Sequence, residues 1–284
     1  MIDLDSVIKS AQGLAPLPES ATRLTSLFSD VEWDVEDIAG VVRLDPPLTG
    51  RVLGLANSAA VGSQSAIVDV EQGLVRLGPG TVLALALGAG AKSQMAVPLS
   101  IYDLCEGQLW RHSVAVALAV DQARVVLRCA APPEAFAAAL LHDIGVLVVG
   151  RYVAKEDVDY VHRSQEQDTE GWRVTDAETE ILGVHHGEVG GLVAESWGLP
   201  RVIVEGIAHH HHPMEAASSK GRQVADLVHL GDVVASRIGE HDAEETADLD
   251  AGVAERLGVT QESLDELCER VADRFEAVLD CYGG

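Results

Sequence analysis

Apolar residues along this chain recur mostly at the spacing of a helix. Behind Asp34, with Glu36 and Asp37 in the first turn, Val35, Ile38, Ala39 and Val42 stand at i, i+3, i+4 and i+7. That is the pattern of a capped amphipathic helix. Asp45-Pro46 opens a second, with proline at the first helical position and Leu48, Val52, Leu53 and Leu55 behind it; Asn57 is read as closing its end. Asp69 caps a third through Leu77, stopped by Gly78-Pro79-Gly80, and a fourth covers about Thr81–Met95. Helical stretches follow at about 103–127, 133–150, 155–167, 175–184, 187–197, 201–211, 222–238 and 261–279. The last carries Leu264, Leu267, Val271 and Phe275 on one stripe. Sustained polar–apolar alternation and Asn-Gly or Asp-Gly hairpin turns are missing. The predicted fold is all-α, with two helical lobes, the second a bundle.

Pro98 interrupts the helical pattern near 96–100, and all eleven histidines lie after it. The expected division is a histidine-free lobe over 1–100, a histidine-bearing lobe over 101–239, and an acidic linker (EHDAEETADLDA, from 240) with a terminal helix over 240–284. Aromatics make up only 4% of the residues, so the core is built from Ala, Val and Leu, which suits closely packed helices. Acidic residues number 45 against 20 Lys plus Arg, a formal net charge of −25. A field of that sign repels nucleic-acid phosphates and anionic headgroups, so neither direct nucleic-acid binding nor membrane association is expected. The longest apolar stretch, Thr81–Ala91, falls short of the roughly 20 residues that span a bilayer. The N-terminus carries two early aspartates and does not read as a signal peptide. Four scattered cysteines, none in a CxxC, argue against a disulfide framework or a thiolate zinc site. A reducing, cytoplasmic setting is the expectation.

The densest chemical signal is a series of histidines with two aspartates: His112 in LWRHS, His142-Asp143 in LLHDIG, His185-His186, His209 to His212, and Asp232 in LVHLGDVV. Imidazole and carboxylate together suit a borderline-to-hard divalent ion such as Mn, Fe, Ni, Mg or Zn, and a helical bundle can turn such side chains into one cavity. Each member alone has a plainer reading. A single histidine on an apolar helix is usually satisfied by a backbone carbonyl, the histidine run suits a solvated helix end, and Asp232 suits a cap. His229 could face the same cavity, but a structural role is preferred for it, and none is assigned to His162 or His241. The ordered series carries the metal reading.

That series resembles the HD superfamily of metal-dependent phosphohydrolases. More specifically, LAPLPESATRL (14–24), RLDPPLTGRVLGLANSA (43–59), LWRHSVAVA (109–117), ALLHDIGVLV (139–148) and the segment from Ile181 through HHHHP are similar to an HDOD domain, the HD-related output domain of bacterial signalling proteins, over about 10–238. The resemblance implies metal ligation by His112, His142, Asp143, His186, His210, His211 and Asp232, with Asp143 the candidate catalytic residue. Departures weigh on the substrate side: Val146 stands where hydrolytic members carry lysine, Gln108 where trinuclear members carry glutamate, and the DGxGYP segment is missing. The resemblance thus implies an output or adaptor module acting through contacts with signalling proteins, without robust catalysis. The alternatives are a metal-dependent phosphohydrolase acting on a nucleotide, cyclic dinucleotides included, and a scaffold with a structural metal.

Overall fold

The computed structural model describes residues 4–29, 32–58, 61, 66–99, 102, 104–152, 174–240 and 248–283. The expected helix at 155–167, together with His162 and His241, lies outside them. The described residues form helices α1 (Leu4–Gln12), α2 (Glu19–Ser29), α3 (Val35–Arg43), α4 (Pro46–Ala56), α5 (Val70–Leu77) and α6 (Pro79–Met95). They continue with α7 (Gln108–Val126), α8 (Pro133–Leu141), α9 (Val146–Val149), α10 (Val174–Leu182), α11 (His186–Ser196), α12 (Arg201–Ala208), α13 (Ser219–Arg237), α14 (Ala251–Leu257) and α15 (Gln261–Gly283). The fold is all-α; the one β-type pairing among the described residues is an isolated bridge, Leu99 to Leu104.

The caps read from the sequence are made. The Asp34 side chain accepts from the Asp37 amide while the Asp37 side chain accepts from that of Asp34. Asp45 accepts from Leu48 N–H at 2.9 Å, and Asp69 from Gln72 N–H at 3.2 Å. Each satisfies an amide that the helix start leaves without a partner.

Several boundaries differ from the periodicity. The helix expected from 103 begins at Gln108, because the bridge and Gly107, at φ +84°, turn the chain first. The stretch 133–150 breaks after Leu141, and the chain turns through His142–Gly145 before resuming at Val146. A Cβ on Gly145 would stand 1.9 Å from the His186 carbonyl oxygen, so only glycine lets this turn press against α11. α12 stops at Ala208, leaving His209–His212 in the following turn. A helix the periodicity does not predict follows the segment read as linker: Asp250 caps α14.

One hydrophobic cluster runs through the molecule from Val7 to Val278. α7 is its axis, packed by α6, α8, α13 and α15, while α11, α12 and α13 close the far side. Ala115, Ala117, Ala119 and Ala137–Ala139 let these helices approach closely without aromatic bulk. No single helix among the described residues is long and apolar enough to cross a membrane. α5 and α6 pass that test only as a pair bent by 105°, and the apolar residues of α6 are largely inside the core.

Candidate metal centre

Five elements deliver the histidine series to one point. His112 sits one turn into α7, His142 ends α8, Asp143 occupies the turn held by Gly145, His186 opens α11, His210 and His211 follow α12, and Asp232 lies on α13. All seven side chains share one cluster. Asp143 stands at its middle with its two oxygens facing different sets. Oδ2 lies 3.0 Å from His142 Nε2 and 3.6 Å from His112 Nε2; Oδ1 lies 3.4 Å from His186 Nε2 and 3.8 Å from His210 Nε2. Asp232 Oδ1 meets His112 Nε2 at 3.2 Å, and His211 Nε2 meets His186 Nε2 at 2.8 Å. Ligand atoms of His112, His142 and Asp232 all lie within 4.8 Å of one another, as do those of His186, His210 and His211, and those of His142, Asp143 and His210.

The backs of the rings are held by acceptors, which fixes the tautomers. His112 Nδ1 donates to the Glu240 carbonyl at 3.0 Å, His142 Nδ1 to Ala139 at 2.9 Å, and His210 Nδ1 to Ile207 at 2.7 Å. A carbonyl only accepts, so in the neutral rings the proton is on Nδ1 and the Nε2 lone pair faces the centre. The Nε2 atoms of His112 and His142 are 3.3 Å apart. His210 Nε2 is buried with no hydrogen-bond partner and stands 3.8 Å from Asp143 Oδ1. Lone pairs and carboxylate oxygens converging in a buried space repel each other unless a cation, or protons, stand among them. A divalent cation fits this donor set, since imidazole and carboxylate together are ligands for transition ions and Mg.

The electrostatics follow. Burial would raise the Asp143 carboxyl, yet the imidazoles of His142, His186 and His112 hold it well below the usual carboxylate range. Asp232 is likewise held down against its burial, chiefly by His112. Burial pushes His210 and His211 down, reinforced by His142 beside His210 and by His210 beside His211, so both favour the neutral form that a metal ligand requires. His186 goes the other way, to about 9: burial lowers it, but the Glu178 carboxylate outweighs that.

Glu178 is the residue the sequence reading missed. It is fully buried on α10, accepting from both the amide and Nδ1 of His186, and Tyr102 donates to its other oxygen at 2.5 Å. A carboxylate behind a histidine fixes the ring and raises its basicity toward a metal. Neither residue belongs to a motif; only their burial distinguishes them. His229 stays out of the cluster and supports it, donating from Nδ1 to the His210 carbonyl at 3.0 Å. His185 caps α11, its Nδ1 accepting from Gly187 N–H. Val146 is buried at the start of α9. A cavity of about 170 Å³ opens against His112 and Asp143; Gln108, Arg111 and Glu240 also line it, and Val146 does not.

An all-helical bundle carrying a histidine–aspartate cluster at the junction of five elements defines the HD class of fold. Within it, the HDOD domain family matches residues 14–213, and the chain belongs to that family. Its fold is similar to that of an HDOD domain protein of unknown function from Geobacter sulfurreducens (TM-score 0.72, 21% identity, 98% of this chain and 99% of that one). It is also similar to a proposed signal transduction protein from Marinobacter aquaeolei VT8 (TM-score 0.72, 22% identity, 99% of this chain and 64% of that one). A proposed phosphohydrolase from Shewanella amazonensis SB2B shares it more distantly (TM-score 0.58, 24% identity, 94% and 98%). An uncharacterised protein of Treponema pallidum (strain Nichols) is 23% identical over 210 residues, 73% of this chain; the chain spans 39% of that relative's length.

Proposed function

We propose that this HDOD protein is a signal-transduction module whose histidine bundle holds two divalent ions, one on each side of Asp143, and that it acts through contacts with signalling proteins. The observation that carries the metal reading is the orientation of Asp143: Oδ2 faces His142 and His112, the latter paired with Asp232, and Oδ1 faces His186 and His210, the former paired with His211. In this arrangement Asp143 would offer an oxygen to each ligand group, Glu178 orients His186, and the carbonyls of Ala139, Ile207 and Glu240 keep the rings of His142, His210 and His112 in the ligating tautomer. When bound, such ions supply Lewis acidity toward a phosphate oxygen and toward water. The donor set suits Fe, Mn, Ni, Zn or Mg.

Signalling is preferred to turnover because position 146 is a buried valine, so the cationic side chain that hydrolytic relatives bring to the phosphate is missing there. A second reading, a metal-dependent phosphohydrolase acting on a nucleotide, is supported by the cavity against His112 and Asp143, which gives a small ligand a route to the centre. In that case Asp143 is the residue nearest the chemistry. The fold shared with the Shewanella protein is compatible with either reading.

Elemental analysis of the purified chain, as isolated and after loading with Mn²⁺ or Fe²⁺, tests the metal reading. About two ions per chain are expected, and a loss of binding in the H142A/D143A double variant. Unchanged metal content in that variant refutes the site. Hydrolysis of a cyclic dinucleotide by the loaded protein, abolished by D143N, moves the conclusion to the second reading.

A further inference from the structure

The wall of the cavity beside His112 and Asp143 carries one positive side chain among its lining residues, Arg111, and that side chain is held from two directions. Glu240 takes its Nε at 3.0 Å and its Nη2 at 2.8 Å, in a two-pronged pair. Glu276, on α15, takes Nη2 at 2.7 Å, and the guanidinium stacks on Phe275 of the same helix, 4.8 Å from the ring centre. Nη1 has no carboxylate partner among the described residues. Glu240 also supplies the carbonyl that fixes the His112 ring, so the clamp on Arg111 and the orientation of a cluster histidine share one residue. α15 lies beyond residues 14–213 that match the family.

We propose that Arg111 is the anion-recognition residue of this cavity and that the C-terminal helix regulates it, Glu276 holding the guanidinium until a phosphate-sized oxyanion takes its place. This rests on the metal reading, because the oxyanion would sit between Arg111 and the ions. The planar fork of arginine suits both a carboxylate and a phosphate, so the two compete for the same donors. A cavity of about 170 Å³ is below the roughly 300–1,000 Å³ that houses a drug-sized ligand, so it admits a phosphate group and leaves the rest of any larger ligand outside. Glu276 is largely exposed, and an exposed ion pair is weak enough to be exchanged.

Titration calorimetry of the full-length, Mn²⁺-loaded protein with inorganic phosphate tests this, with metal content measured on every sample. R111M, which keeps the aliphatic stem over Phe275, is expected to weaken phosphate binding at least tenfold. E276Q is expected to tighten it about threefold or more. Both should keep the wild-type metal content and helical circular dichroism. Wild-type protein without metal overturns the metal reading and this inference with it. Metal-loaded R111M that binds phosphate as wild type does, or E276Q that leaves the affinity unchanged, overturns this inference alone. If R111M is misfolded, the E276Q affinity decides by itself.

Discussion

The Glu178 carboxylate receives both hydrogens that His186 can direct at it, the amide at 2.7 Å and Nδ1–H at 2.8 Å, from a position with no solvent exposure. Such a contact sets a ring more firmly than a carbonyl does, because the acceptor is charged. Glu178→Gln keeps one acceptor oxygen but loses the charge. Metal affinity should fall by about 10–100-fold, the range typical for a carboxylate behind a ligating histidine. Competition against a calibrated chelator measures it. An unchanged affinity would mean that Glu178 serves only the packing of α10 on α11.

Metal binding should also be visible as stability. Ions that bind the folded state alone stabilise it by about 2.7 kcal/mol at a free concentration roughly 100 times Kd. For a chain of this size that corresponds to a rise in Tm of roughly 5 °C or more. The rise should grow with ion concentration and vanish with chelator or in the H142A/D143A variant. A Tm insensitive to every candidate ion would leave the cluster as a hydrogen-bonded core.

Much of this architecture was legible in the sequence, for identifiable reasons. Asp34, Asp45 and Asp69 announce helix starts because a short side-chain oxygen before an apolar stripe has one obvious use, and all three are used so. The cluster was legible as an ordered series of residue types. What periodicity does not contain is the turn at His142–Gly145: the run from Leu140 to Val149 is apolar apart from His142, Asp143 and Gly145 and has no Pro to stop a helix, and the chain turns where α11 backbone passes within contact of Gly145. Tyr102 and Glu178 were hidden for a similar reason. They lie 76 residues apart and meet only once α10 has packed.

Asn57 offers a test of the N-terminal half. Its amide nitrogen donates to the carbonyls of Leu53 and Ile67 at 2.8 and 2.7 Å, and its oxygen accepts from Ile67 N–H at 2.7 Å. The side chain thus ties the end of α4 to the strand of chain leading into α5. Asn57→Ala leaves the Ile67 amide and carbonyl without these partners and should cost about 1–3 kcal/mol. Chemical denaturation should show it, with metal content unaltered. Wild-type stability in this variant would mean that water replaces the amide without cost.

With a formal charge of −25, the isolated chain should not bind DNA or RNA tightly at physiological salt. An influence on transcription would then pass through another protein. Gel-shift binding at sub-micromolar concentration that weakens steeply with salt would contradict this.

Gly145 is where fold and centre depend on the same atom. An added Cβ would stand 1.9 Å from the His186 carbonyl oxygen and 2.6 Å from the Gly190 amide nitrogen, and both neighbours are backbone, which cannot swing aside. Gly145→Ala must therefore push the His142–Gly145 turn away from α11. Overpacking of this kind costs about 1–3 kcal/mol and occasionally more. The displacement also separates Asp143, on the turn, from His186, at the start of α11, across the 3.4 Å that now joins them. The variant should remain helical by circular dichroism, melt at lower temperature, and lose metal out of proportion to its loss of stability. Asn57→Ala supplies the comparison, since its destabilisation falls in a similar range and lies elsewhere in the fold. If the two variants retain metal equally, the centre tolerates movement of the turn, and the close approach at Gly145 serves packing alone.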